Sequence, residues 1–201
     1  IFIAGDIAFA PEVIKLVGNN RYATFIPDKA DWFEPLNSQG KKLLFLERYH
    51  TTQPKDGFDK TALEKIKAKI KNHQALKLKE INEEYYYKAL SEEWSSPFVS
   101  NFKDYDEFKK RGFGYVITKD DEIVCGTSCF SYYKNGVEIE VSTREDFRER
   151  GLAQISSAAF MLECLRCGLT PHWDARNKAS LAIYGTYFLP LHPFCCKAPI
   201  P

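Results

Sequence analysis

The sequence predicts a mixed α/β fold in two parts, a smaller α/β half over residues 1–80 and a larger half over 81–201 built on a mixed sheet. Three observations carry this. Short apolar runs alternate with helical periodicity in the first part. Between residues 114 and 141, strand patterns follow one another through tight polar turns. The last of those strands then feeds through a polar loop into a long amphipathic helix.

Composition sets the outer bounds. With 201 residues, 44% hydrophobic and 14% aromatic, the chain can bury a core without disulfides or metals and is not of the disordered type. A net charge of +1 provides no global field to recruit nucleic acid. No run approaches the roughly 18 apolar residues of a membrane helix. The opening Ile1–Gly5 is too short for the apolar core of a signal peptide and is closed by Asp6; the missing Met leaves a removed leader open. Six cysteines, at 125, 129, 164, 167, 195 and 196, lack the spacing of a small secreted disulfide scaffold and read as reduced thiols of a cytoplasmic protein.

In order along the chain, Phe2–Ala4 and Tyr22–Ile26 read as strands with a helix at Pro11–Val17 between them, and Pro27 stops the second. Lys42–Tyr49 is a further strand. Asp56-Gly57 marks a turn, and Thr61 with Glu64 has the spacing of a capping box ahead of Leu63, Ile66 and Ile70 at helical period. The lysines opposite them read as a solvated face. Residues 82–110 are helical and aromatic, with Tyr85, Tyr86, Tyr87 and Trp94, and with Asp104 as an N-cap. These aromatics read as core, with an acceptor-lining role as the alternative. Gly114–Thr118 and Ile123–Tyr133 flank the polar turn Lys119–Glu122, and Asn135-Gly136 turns the chain into Val137–Val141. Arg150–Cys167 follows as a helix with a stripe of Leu152, Ile155, Ala159, Leu162 and Leu165 and with Gly168 at its end. Leu169–Trp173 is a short strand and Lys178–Tyr187 a last helix.

The chemistry concentrates at the strand–loop–helix junction Val141-Ser142-Thr143 to Arg148-Glu149-Arg150-Gly151-Leu152-Ala153. A helix N-terminus presents backbone N–H groups and the positive end of its dipole, which suits a pyrophosphate. Gly151 and Ala153 allow close approach, and Arg148 and Arg150 add charge-assisted donors. Glu138 and Glu140 share one face of the preceding strand and offer a general base, with a charged, solvent-facing strand side as the alternative. Cys164-x-x-Cys167 has no second CxxC partner, so no metal site is read.

Arg148-x-x-Gly151-x-Ala153, followed by Asn177-x-x-Ser180-x-x-Ile183-Tyr184, resembles the two signatures of GNAT N-acetyltransferases. Glu138–Thr143, Leu162–Leu165, Trp173–Asn177 and the opening Ile3–Asp6 look like the branch that includes zwittermicin A resistance acetyltransferases. The resemblance implies a GNAT fold in the second half and acetyl-CoA as co-substrate, with no metal. Its cofactor contacts would be Val141, Ser142, Thr143, Arg148, Glu149, Arg150, Gly151, Leu152, Ala153, Asn177 and Ser180. Glu138 or Glu140 would be the base, and Tyr184 the acid that protonates the leaving thiolate. The acceptor it implies is a small amine, an amine-containing antibiotic among the options. A GNAT-like module that binds acyl-CoA without turnover is the second reading. Its motive is the tail Leu189–Pro201, whose four prolines forbid a regular central strand where the family would continue its sheet. The acceptor's identity and the oligomeric state are not readable from the sequence.

Overall fold

The computed structural model describes residues 2–17, 25–27, 29–39, 43–175, 178–184 and 189–199. Contacts divide the chain into two compact units, one of residues 1–50, 175–182 and 190–201, the other of residues 51–174 and 183–189.

In the smaller unit, β1 (Phe2–Ile3), α1 (Ala10–Val17) and β2 (Ile26–Pro27) form a β-α-β step, and β1 pairs with β2 in parallel. The carboxylate of Asp6 accepts the Ala8 N–H at 2.9 Å, which opens a 3-10 turn into α1. α2 (Phe33–Asn37) packs on α1, and Ile3, Ala10, Ile14, Phe25, Trp32 and Leu36 make the core. Strand β3 (Leu43–Thr52) pairs elsewhere, as given below. Of the expected strand at Tyr22–Ile26, residues 22–24 lie outside the described residues.

The larger unit runs through α3 (Lys60–Ala68), β4 (Leu76–Glu80), α4 (Glu83–Leu90), α5 (Tyr105–Arg111), β5 (Gly114–Lys119), β6 (Glu122–Tyr133), β7 (Gly136–Thr143), α6 (Leu152–Arg166) and β8 (Thr170–His172). Its sheet has five strands in the order β4-β5-β6-β7-β8. The first three neighbour pairs are antiparallel and β7-β8 is parallel, so the sheet is mixed. The β5–β6 turn holds Asp120 and Asp121 at φ 49° and 63°, the left-handed pair that a two-residue hairpin needs. Strand β4 belongs to this sheet. The backbone of Leu76–Glu80 bonds to Tyr115–Lys119, which places β4 in the larger unit.

α6 lies on one face of the sheet, with α3 packed on it. That double coverage changes the helix's pattern. Ile155–Met161 are buried throughout, whereas Leu162 and Leu165 of the expected stripe are half-buried. The cap of α3 also differs from the expectation. Asp59 accepts from Thr61 N at 2.8 Å and Ala62 N at 3.1 Å, so a carboxylate two residues earlier caps the helix and Thr61 lies inside it. On the opposite face of the sheet, Phe98 sits so close to Gly126 that a Cβ there would lie 2.6 Å from the ring.

The chain ends with α7 (Lys178–Tyr184) and β9 (Leu189–Pro199). β9 pairs with β3 in a sheet of two strands. Its prolines are compatible with that place, since each strand of a pair has an edge that needs no N–H donor.

Candidate functional site

β7 is shared between two neighbours with different reach. Its ladder with β6 runs from Gly136 to Thr143. Its ladder with β8 covers Gly136↔Thr170, Val137↔Pro171 and Glu138↔His172 and then stops. From Ile139 to Thr143, β7 continues past the end of β8, so the two parallel strands part company beside Glu140, Val141, Ser142 and Thr143. Backbone groups on a strand edge of that kind can bond an extended ligand.

The loop that follows is fixed by one aromatic side chain. Phe147 is buried and carries the guanidinium groups of Arg144 and Arg150 at 4.8 and 4.7 Å from its ring centre. Arg144 also grips Asp146 through two bonds of 2.8 and 3.0 Å, and this holds the Asp146 carboxyl below its ordinary pKa. Arg150 donates to the Asp146 carbonyl at 2.8 Å. Arg148 donates from Nε to the Thr143 carbonyl at 3.3 Å and leaves most of its side chain in solvent. Two of the three arginines therefore hold the loop, and Arg148 is the more available to a ligand.

The helix start itself is unusual. Glu149 has φ 63° and Gly151 has φ 73°. Gly151 is the N-cap of α6; no side chain caps the helix, and its first turn has no acidic residue. A Cβ on Gly151 would meet only the Gln154 side chain, at 3.7 Å, so glycine is required by the backbone angle and not by crowding. Leu152 is buried and faces the core; Ala153 packs at its rim.

Glu138 and Glu140 are half-buried and share a face of β7, as the alternation requires. Their strand neighbours place them on the side of the sheet away from α6: Ser128, opposite Glu140, donates to the Phe98 carbonyl, while Thr127, opposite Val141, bonds to α6. Two more groups stand beside Glu138: the sequence reads His172, ahead of Trp173 in a short strand, as structural, and it does not single out Tyr133. His172 is the register partner of Glu138, and Tyr133 feels the charge of Glu138, which adds to burial in raising the tyrosine's pKa. The two rings lie 5.6 Å apart, and burial lowers the His172 pKa, which favours the neutral imidazole. Gly136 permits this crowding, since a Cβ there would lie 2.6 Å from the Tyr133 hydroxyl and 2.8 Å from the Thr170 carbonyl. The Asn135-Gly136 turn was the available signal, because it folds Tyr133 back onto β7.

A groove of about 260 Å³ lies on the same side, lined by Asn101, Phe102, Glu107, Phe130, Ser131 and Tyr132. Ser131 is the register partner of Glu138. A larger groove of about 640 Å³, with Lys67, Lys71 and Lys77 in its walls, flanks β4 at the other end of the sheet and has no part in this arrangement. The aromatic segment divides: Tyr85 and Tyr86 are core, and Tyr87 is exposed.

Two expected residues belong to other parts of the chain. Asn177 lies outside the described residues. Ser180 is half-buried on α7 within the smaller unit. Tyr184 closes α7, and its side chain is outside what is described. Among the described residues no group of three His, Cys, Asp or Glu could hold a metal ion, and no helix is long and apolar enough to cross a membrane.

Comparison with known proteins bears on the chain as a whole. A family model described as GNAT acetyltransferase matches residues 1–186. The chain belongs to the GNAT acetyltransferase family. Members of this family use acetyl-CoA as co-substrate for an amine acceptor. A GCN5-related N-acetyltransferase-like protein from Streptococcus suis is 31% identical, with a TM-score of 0.87 over 94% of this chain and 75% of that one. An uncharacterized N-acetyltransferase, YdfB of Bacillus subtilis, is 26% identical over 113 residues, 55% of this chain; the match spans 42% of the relative's length. The fold recurs in a GCN5-related N-acetyltransferase from Kribbella flavida at 12% identity and a TM-score of 0.60 over 99% of this chain.

Proposed function

We propose that this GNAT chain transfers the acetyl group of acetyl-CoA to the amine of a small acceptor. The observation that carries the proposal is the junction of a strand edge at Val141–Thr143, released from its parallel neighbour, with an α6 N-terminus that no side chain caps. Peptide N–H groups from Glu149 to Ala153, the dipole of a 15-residue helix and the solvent-facing Arg148 suit a pyrophosphate. The edge at Val141, Ser142 and Thr143 suits the pantetheine arm. Glu149 would contribute its backbone only, since its carboxylate repels phosphate.

The reaction then needs three proton and charge movements. The acceptor nitrogen must be neutral to attack, yet an alkylamine is mostly protonated at neutral pH. A carboxylate, Glu138 or Glu140, takes its proton directly or through water as the C–N bond forms. The carbonyl oxygen carries the charge of the tetrahedral intermediate, and an N–H on the β7 edge near Val141 would bond it. As the C–S bond breaks, the leaving thiolate takes a proton from the Tyr184 hydroxyl. The groove beside Ser131, with three aromatic rings and the Glu107 carboxylate, has the chemistry to hold a cationic acceptor with an apolar body. The resemblance to antibiotic-resistance acetyltransferases supports an amine-containing antibiotic as one acceptor class, and the chain's reduced thiols support a cytoplasmic setting.

A second reading, an acyl-CoA-binding module without turnover, draws on β9. Among the described residues it pairs with β3 and does not extend the five-stranded sheet beyond β8. One assay separates the two: acetyl-CoA with a panel of aminoglycosides, polyamines and amino sugars, read by thiol release. Amine-dependent thiol release is expected. CoA binding with no release from any amine would favour the binding module, and no CoA binding would remove both.

A further inference from the structure

We infer that Thr127 and Ser156, with Cys125, Thr143 and Ser157, are positioning residues that set the spacing between the strand edge and the helix start of the acetyl-CoA site. This rests on the reading of that site given above. The observation is a polar chain in a place where apolar packing would be the default. Thr127, Ser156 and Ser157 are each fully buried between β6 and α6. Thr127 Oγ1 lies 2.8 Å from Ser156 Oγ and 3.2 Å from Ser157 Oγ. Cys125 Sγ lies 3.6 Å from Ser156 Oγ. The network branches at Ser156, through Thr127 to Ser157; its two other ends are each a part of the proposed site. At one, Thr143, the last residue of β7, donates to Cys125 Sγ at 3.2 Å. At the other, Ser156 donates to the carbonyl of Ala153 in the first turn of α6 at 3.3 Å.

Counting donors gives the chain a direction. Each hydroxyl has one hydrogen and can accept twice. Thr143 donates to Cys125, Cys125 to Ser156, and Ser156 to the Ala153 carbonyl. Ser157 donates to Thr127, and Thr127 to Ser156. Every hydrogen is used once and no acceptor is overfilled. Burial pushes the Cys125 thiol up to about 11, so its hydrogen stays in place through neutral pH. Apolar contacts between a helix and a sheet tolerate sliding, whereas directional bonds fix one register of the two elements. The β7 edge and the α6 start must meet one ligand at both of its ends, and this chain holds them at one separation.

The test compares a linked ligand with its halves. Thr127→Val keeps the volume and removes the hydroxyl. Affinities are measured by calorimetry for acetyl-CoA, for adenosine 3′-phosphate 5′-diphosphate and for S-acetylpantetheine. In the variant, acetyl-CoA is expected to bind about 10-fold more weakly while each half keeps its affinity within about twofold, because only the linked ligand depends on the spacing. Thr127→Ser should restore acetyl-CoA binding. Unchanged acetyl-CoA affinity, or a loss shared equally by the halves, would overturn the inference. Ser157→Ala, read the same way, serves if Thr127→Val does not fold. Failure of the site reading itself shows separately, as wild-type acetyl-CoA binding that ignores Gly151→Asp.

Discussion

Helices α3, α4 and α5 begin with a side chain that closes the helix end. Asp59 accepts two N–H groups, Asn82 accepts from Tyr85 N at 3.0 Å, and Asp104 accepts from Glu107 N at 2.9 Å. The first turns of α4 and α5 add two acidic residues each. α6 begins with a left-handed glycine, no side-chain cap and no acid. The same orphan donors exist at all four ends. Three are satisfied within the chain, which lends stability and forecloses anion binding. The fourth has no such cap, and its loop is stiffened from below by the Phe147 ring instead.

Substitutions can break this contrast at either side. The largest effect is expected where the open end serves chemistry: Glu138→Gln or Glu140→Gln, whichever removes the base, should lower turnover by about 10²–10⁴-fold with acetyl-CoA binding retained. If both variants turn over like wild type, neither carboxylate is the base. Tyr184→Phe should cost turnover roughly 10- to 1000-fold, again without loss of CoA affinity, and a wild-type rate would remove the hydroxyl from the mechanism. Closing the open end comes next. Gly151→Asp puts a carboxylate where phosphate would sit, and acetyl-CoA affinity should fall by about 100-fold. Gly151→Ala isolates the cost of the left-handed angle, about 1–2 kcal/mol of stability, and should bind more tightly than Gly151→Asp. Opening the closed ends gives the smallest effect. Asp59→Ala and Asp104→Ala should each lose about 1 kcal/mol in denaturant unfolding and leave acetyl-CoA affinity unchanged. A fall in affinity with either variant would show that the capped ends are not separable from the site.

Local rules read the sheet well and the surroundings less well. Val137–Val141 alternates, Asn135-Gly136 demands a turn, and the hairpins formed where those signals lie. Strand partnership is less legible, because it is nonlocal: nothing in Leu76–Glu80 says that its partner is Tyr115–Lys119. The stripe on α6 misled for a related reason. A helix covered on two sides buries Ser156 and Ser157, which a one-sided pattern assigns to solvent. At the site, the Gly151 junction was visible because one glycine and one helix start are contiguous in sequence. His172 and Tyr133 beside Glu138 were not, since a parallel register and a hairpin bring them together. The chain's placement in the GNAT family came from spaced motifs rather than from periodicity.

One irregularity in β6 constrains how this chain can change over time. Cys129 stands opposite Ile139 and Ser131 opposite Glu138, so Phe130 is an extra residue, and Asn101 donates to its carbonyl at 2.9 Å. Loss of a single codon at 130 would not shorten a loop. It would straighten β6: Ser131, Tyr132 and Tyr133 would keep their partners Glu138, Val137 and Gly136, while the groove would lose the Phe130 ring and Asn101 its acceptor. A single deletion in this stretch is therefore absorbed by loss of the bulge, whereas an insertion would turn the residues after it to the opposite faces of the sheet. Length variation among descendants of this gene is expected to accumulate at turns such as Lys119–Glu122 and, between Cys129 and Gly136, to be limited to loss of the bulge residue.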